Sequence, residues 1–339
     1  MNGVYRATVA SNIAFLKYWG KRDARLQWPA NDSFSMTLSR LCSTTEARPI
    51  QASDHRFVFA GQAFSRAEKR FAKTFQQLDD LTQTFGFRDQ LEIRTENNFP
   101  MGAGIASSAS GLAALTLASL AAWLKAPDWQ SLAAKGFSLS RIANLARQGS
   151  GSAGRSLFGG YVAWRAGDHP EQQTIEPLFP AEHWDLHDTI VLFSKGEKSL
   201  SSTEAHAHAW SSPLFRTRLA GLPERLAAME NAMTHCNFEQ LGPLLEMEAL
   251  EMHAVTMTAT PSHCYLTSDA WNFLASLREA RRRGEVHAYF TIDAGPNIHL
   301  IHEASEHEQL KRWLEERFNP QELLHDRVGQ GPQLSFLSE

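Results

Sequence analysis

The sequence predicts an α+β fold in two domains, on three observations. At 339 residues the chain exceeds what one compact core of ordinary size takes up. A hydrophobic share of 43% against 21% charged is ordinary globular composition, enough to fill two cores. Strand-like and helix-like periods are intermixed without a strict βαβ repeat, which disfavours a doubly wound sheet.

Residues 4–15 alternate loosely and read as a strand, followed over 17–32 by a loop rich in Lys, Arg, Asp and Pro. Short alternating runs at 35–45 and 55–60 predict further strands. Apolar residues at helical spacing predict a helix over 64–85, then a strand at 91–95. A Gly/Ser/Ala loop at 100–110 leads into a helix at 107–125, and a second helix is expected over 132–147. Buried strands are expected at 161–164 and 189–193. The polar, Pro-bearing stretch 167–187 between them is the expected domain boundary, giving parts 1–185 and 186–339. Helical periods at 215–234, 238–254 and 268–284 precede strands at 288–292 and 299–302, and a helix at 306–318 follows.

Charge excludes one broad class of function. With 33 Lys+Arg against 37 Asp+Glu the formal charge is −4, without the basic footprint of a nucleic-acid binder. Three widely spaced cysteines, Cys42, Cys236 and Cys264, form no metal-ligand pattern and are expected to be reduced, buried thiols. Residues 1–10 lack an apolar signal core, and the most apolar stretch, 111–124, is short for a membrane span. A cytoplasmic location, with no membrane partner, is the expectation.

The most informative segment is PMGAGIASSASG at 100–111. Gly102 and Gly104 permit backbone angles that let amide groups converge on an anion. The helix behind them points its N-terminal amides and dipole at the same place. Ser107 and Ser108 add hydroxyls for phosphate oxygens or for a bridging Mg²⁺. The segment is neither a Walker loop nor a Rossmann fingerprint. Composition alone equally allows a small-residue helix start selected for close packing.

Three further segments carry candidate chemistry. ASNIAFLKYWGKRD at 10–23 places Lys17, Lys21 and Arg22 in a loop with the phenol of Tyr18, with Asn12 and Trp19 interleaved. RQGSGSAGRS at 147–156 sets two serines in glycines ahead of Arg155, whose planar fork suits a carboxylate or phosphate. YFTIDAGPNIHLI at 289–301 ends a buried strand at Asp293, a carboxylate that is either a turn cap or functional.

The order P-x₃-G-[LI]-x-S-S-A resembles the phosphate motif of the GHMP kinases. Together with KYWGKRD, NNFP, GSGSAGRS, DAGPN and the closing RVGQGPQ at 327–333, the segments resemble diphosphomevalonate decarboxylases over residues 7–333. The resemblance implies a GHMP-kinase fold, with an N-terminal ribosomal-protein-S5-like part and a C-terminal ferredoxin-like α+β domain. It implies ATP, Mg²⁺ and (R)-5-diphosphomevalonate as ligands, isopentenyl diphosphate, ADP, phosphate and CO₂ as products, and a homodimer. Asp293, Lys17 and Arg155 would be catalytic. Tyr18, Trp19, Gly20, Lys21, Ser150, Gly151, Ser152, Ala153, Gly154, Ser202 and Thr203 would bind substrate. Gly102, Gly104, Ile105, Ala106, Ser107 and Ser108 would bind ATP.

The sequence departs from the family pattern at three places. Gly154 stands where cysteine is usual, Trp28 replaces an aliphatic residue, and Ala-His-Ala-His at 205–208 replaces Gly-Met beside the expected diphosphate site. The fourteen histidines, His206, His208 and His253 among them, form no HExxH or comparable set and are expected on the surface or satisfied in the core. Rival readings are a kinase of the 3-hydroxyl, a decarboxylase of the 5-monophosphate and a non-catalytic binding module. Retention of Asp293, Lys17 and Arg155 together favours the decarboxylase.

Overall fold

The computed structural model describes residues 3–100, 105–194 and 200–338. Its strands are β1 (Gly3–Leu16), β2 (Lys21–Asp23), β3 (Trp28–Pro29), β4 (Ser33–Ile50), β5 (Arg56–Phe59), β6 (Gln62–Phe64) and β7 (Gln90–Asn97). They continue with β8 (Tyr161–Arg165), β9 (Thr174–Phe179), β10 (Leu186–Val191), β11 (Tyr289–Thr291), β12 (Ile298–Glu303), β13 (Leu323–Arg327) and β14 (Gln333–Ser338). The helices are α1 (Ala72–Phe85), α2 (Ser107–Leu124), α3 (Trp129–Ala134), α4 (Leu139–Gly149) and α5 (Ser202–His208). After them come α6 (Phe215–Thr234), α7 (Phe238–Thr258), α8 (Ser268–Arg282) and α9 (His307–Glu315).

The α+β expectation holds. Among the described residues, eight strands form one sheet in the order β14-β1-β4-β7-β5-β6, with β8 on β4 and β9 on β8. A second sheet runs β11-β12-β10-β13, antiparallel throughout.

β1 explains how the two parts meet. Its first half alternates buried and half-buried residues, as a strand with one covered face must. From Val9 to Leu16 every residue is buried, because both faces are covered there. Tyr5, Ala7 and Val9 pack with α1, α2 and α4, whereas Ile13, Phe15 and Leu16 join a core with β10, α6 and α7. β1 thus carries the chain into the seam between the two parts and releases it there at Lys17. α2 is apolar enough to span a membrane by composition, yet 78% of it is buried under the large sheet and its neighbouring helices.

Four sequence expectations need correction. The helix expected over 132–147 is two, α3 and α4, because Gly136 takes φ +82° and Ser138 caps a new start by accepting from the Arg141 amide. The supposed linker 167–187 contains β9, which pairs with β8 and extends the first sheet. The final strand β14, beyond the divide expected at 185/186, returns to pair with β1. The cysteines are free as expected, but Cys236 and Cys264 are exposed and Cys42 half-buried. Cys236 sits in the left-handed turn (φ +48°) that ends α6, where the chain faces solvent.

Candidate active site

The seam opens into a cleft. Lys17, Tyr18 and Trp19 follow the end of β1 and Lys21 opens β2, while Ser150, Gly151, Ser152 and Arg155 come from the turn after α4. Ser202 and Thr203 come from α5, Asp293 from the turn after β11, and Ala106, Ser107 and Ser108 from the start of α2. Five segments of the chain between Lys17 and Asp293 therefore line one space.

Lys17 Nζ donates to Asp293 Oδ1 at 2.6 Å and to the Ala14 carbonyl at 2.7 Å. The lysine side chain is 2% exposed and the aspartate 22%, so the pair presents its carboxylate to the cleft. Burial pushes the Lys17 ammonium below its ordinary range, and Asp293 and Glu248 oppose that shift. His253 Nε2 lies 3.2 Å from the Asp293 carbonyl oxygen and steadies the turn.

The backbone of Lys17 is clamped from outside the cleft. Its amide donates to Glu248 Oε1 at 2.9 Å, and its carbonyl accepts from Asn31 Nδ2 at 3.0 Å and Arg218 Nη2 at 3.4 Å. Glu248 on α7 is itself bound by Arg218 and Arg225 of α6, which also reach Glu251.

Arg155 is equally constrained. Nε donates to Ser35 Oγ at 3.0 Å, Nη1 to Ser33 Oγ at 2.6 Å and Nη2 to Asn12 Oδ1 at 3.2 Å. All three acceptors are neutral, and among the described residues no carboxylate lies within ion-pair distance. The group is 3% exposed, and burial pushes its pKa down to about 10. A buried cation aimed at a cleft with neutral support is a receptor for an anion. Asn12 also donates to Ser156 Oγ at 2.8 Å, tying the serine turn to β1.

Lys21 and Lys73 add further cations to the lining. Burial, and then Lys73, bring Lys21 down to about 8, and Lys73 donates to Thr203 Oγ1 at 2.5 Å. Tyr18 Oη is buried without a hydrogen-bond partner among the described residues, so a bound ligand oxygen is its natural acceptor. His206 stacks on Tyr18 and Trp19, with centroids 4.3 and 4.5 Å away, and its Nδ1 accepts from the Gly20 amide at 3.0 Å. Burial and the two lysines hold it neutral, down to about 3. His206 therefore lines the site rather than merely filling core, a correction to its sequence reading. Lys73 was missed because it stands in α1, far from every motif.

Among the described residues, α2 starts with neither a side-chain cap nor an acidic residue in its first turn; the Ala109 amide donates to the Ala106 carbonyl, and the amides ahead of it can meet an anion. Ser11 Oγ anchors the approach by donating to the Ile105 carbonyl at 2.5 Å. A second, aromatic cleft adjoins this helix start and shares Lys73, Ser107 and Ser108 with the first; Phe57, Phe59 and Phe71 line it. Gly102 and Gly104 lie outside the described residues. Ile105, Gly20, Ala153 and Gly154 do not line the cleft; Ile105 and Ala153 are core residues.

Two family models match the chain. The diphosphomevalonate decarboxylase-like N-terminal domain covers residues 9–175, and the mevalonate 5-diphosphate decarboxylase C-terminal domain covers 189–336. The chain belongs to the diphosphomevalonate decarboxylase family. It is 37% identical to the diphosphomevalonate decarboxylase of Ganoderma lucidum, over 90% of this chain and 80% of that one. The structure of MDDEF in complex with MVAPP, AMPPCP and magnesium matches with a TM-score of 0.89 at 32% identity, covering 98% and 99% of the two chains. The mevalonate diphosphate decarboxylase of Staphylococcus aureus matches with a TM-score of 0.89 at 30% identity, covering 98% of each.

Against the family pattern, Gly154 is where this chain has committed its packing. A Cβ there would lie 2.8 Å from the Ala143 carbonyl oxygen and 2.1 Å from Ile175 Cδ1. Gly154→Cys should lower stability here by about 1–3 kcal/mol, as overpacked cores do. A lowered thermal midpoint with unchanged KM values would show it.

Proposed function

We propose that the chain converts (R)-5-diphosphomevalonate and ATP to isopentenyl diphosphate, ADP, phosphate and CO₂. The observation that carries this is the placement of the Lys17–Asp293 pair, the buried Arg155 and the open start of α2 around one cleft. Asp293 accepts the proton of the 3-hydroxyl as that oxygen attacks the γ-phosphoryl group. Lys17 stabilises the negative charge that builds on the oxygen. Both Nζ contacts are to acceptors, which supports reading the lysine as donor and the carboxylate as acceptor. Arg155 then holds the C1 carboxylate in line. The C3–O bond breaks with the phosphate taking its electron pair, and the C1–C2 pair becomes the new C2=C3 bond as CO₂ leaves.

Lys21, Lys73, Tyr18, Ser150, Ser152 and Thr203 hold the diphosphate, a cation-rich set suited to more than one phosphate group. The α2 amides with Ser107 and Ser108 take the ATP phosphates, and the aromatic cleft beside them takes the purine. Open amides and two hydroxyls fit a Mg-nucleotide, in which Mg²⁺ neutralises phosphate charge and orients the transferred group. We place the protein in the cytoplasm as a homodimer without membrane association, on family resemblance, charge and free thiols; light scattering after gel filtration checks the dimer.

The deciding experiment supplies ATP with mevalonate, 5-phosphomevalonate or 5-diphosphomevalonate and measures ADP and CO₂. Equimolar CO₂ and ADP with the diphosphate alone is expected, and ADP without CO₂ would overturn the assignment. Arg155→Gln should lower kcat/KM for diphosphomevalonate by about 10²–10³, leaving the KM for ATP nearly unchanged.

A pH dependence follows from Lys21. In the free protein it loses its charge as pH rises through about 8, so kcat/KM should fall above that value. Lys21→Arg, which stays charged, should move this limb to higher pH.

A further inference from the structure

We propose that His187, His302 and His307 bind one borderline transition-metal ion, with Zn²⁺ the best match, on the face of the second sheet turned away from the cleft. The alternation of β10 sets this face apart. Leu186 and Ile190 point into the core shared with β1, whereas Val191 points into the core beneath α8 and α9. His187 lies on that second face, directly across from His302 of β12, and His307 begins α9 above them.

One ring nitrogen of each histidine lies within 4.8 Å of the other two. Tetrahedral zinc with Zn–N bonds of 2.0–2.1 Å sets its ligand nitrogens about 3.3–3.4 Å apart, so closing the site needs shifts of roughly 1.5 Å. His187 and His307 are only partly buried, which leaves their rings room to move.

The hydrogen bonds fix the orientation of the central ligand. His302 Nδ1 lies 2.9 Å from the Glu303 carbonyl, which only accepts, so Nδ1 carries the proton. Nε2 is then the lone pair, now capped by the Thr189 hydroxyl at 3.1 Å. A ring N–H held by a backbone carbonyl is the outer support that metal-bound imidazoles usually have. His187 Nε2 and His307 Nδ1 are buried without hydrogen-bond partners among the described residues; the Asp185 carboxylate stands 3.5 Å from the former. Burial holds His187 and His302 below the ordinary imidazole range, so their lone pairs are available at neutral pH. His325, with its ring centroid 5.2 Å from that of His307, lies at the rim. Bound metal would pin α9 to β10 and β12; water would complete the coordination.

The full-length protein, stripped with a chelator, is titrated with Zn²⁺ by calorimetry and with Co²⁺ by visible absorption. One equivalent is expected to bind, with tetrahedral d–d bands and a raised thermal midpoint. His307→Ala, at a partly exposed helix start, should weaken binding at least tenfold and abolish the midpoint rise while leaving decarboxylation unchanged. His302→Gln should remove binding, and its circular dichroism reports whether it folds. Absence of stoichiometric binding, or affinity within twofold of wild type in His307→Ala, would overturn the site.

Discussion

Asp293→Asn is expected to lower kcat for CO₂ release by about 10²–10⁴-fold, the usual worth of a positioned general base. The substitution conserves shape but removes the proton acceptor. It also removes the nearest anion from Lys17, whose pKa burial already depresses, so the lysine becomes more readily neutral. One substitution thus removes the base and weakens the electrostatic support of the hydroxyl oxygen. Combining it with Lys17→Met should add little further loss, because the two groups act as a unit. ADP and CO₂ should fall together, since phosphorylation of the hydroxyl precedes loss of the carboxylate. Unchanged turnover in Asp293→Asn would sink the proposed chemistry.

Glu248→Leu is expected to destabilise the protein by about 3–5 kcal/mol and to lower kcat as well. Arg218, whose side chain is fully buried, would lose its buried carboxylate and keep only the part-exposed Glu251. Burial by itself would raise the Glu248 pKa, but Arg218 and Arg225 outweigh it and hold the folded value below the ordinary one. Its stabilisation is therefore present above the unfolded carboxylate pKa and lost as pH falls through the depressed folded value. Two consequences can be separated. Pairing Glu248→Leu with Arg218→Met should restore much of the urea midpoint, since well-packed apolar replacements of buried ion pairs are often neutral. It should not restore kcat, because the Lys17 amide still lacks its acceptor. Recovery of both would show that the network acts on stability alone.

Sequence by itself determined the elements whose causes are local. The α2 start was legible because small residues and serines ahead of an apolar helix write an anion site into a dozen positions. The Lys17, Arg155 and Asp293 segments were legible because each holds its functional group within a short motif. The α3–α4 break was signalled by Gly136 and Ser138 but masked by the apolar period running across it.

Tertiary structure alone decided the rest. The pairing of β14 with β1 and of β9 with β8 depends on which edges remain open after the sheet assembles, and periodicity within one segment does not carry that information. Lys73 enters the cleft from α1, which carries none of the motifs, and His206 enters from α5 one turn beyond the expected Ser202 and Thr203. The Glu248 clamp joins residues 231 positions apart, and the histidine cluster gathers residues 187, 302 and 307. The physical reason is common to all of them. A buried charge or lone pair must find its partner in space, and the chain distance to that partner leaves no mark in local composition.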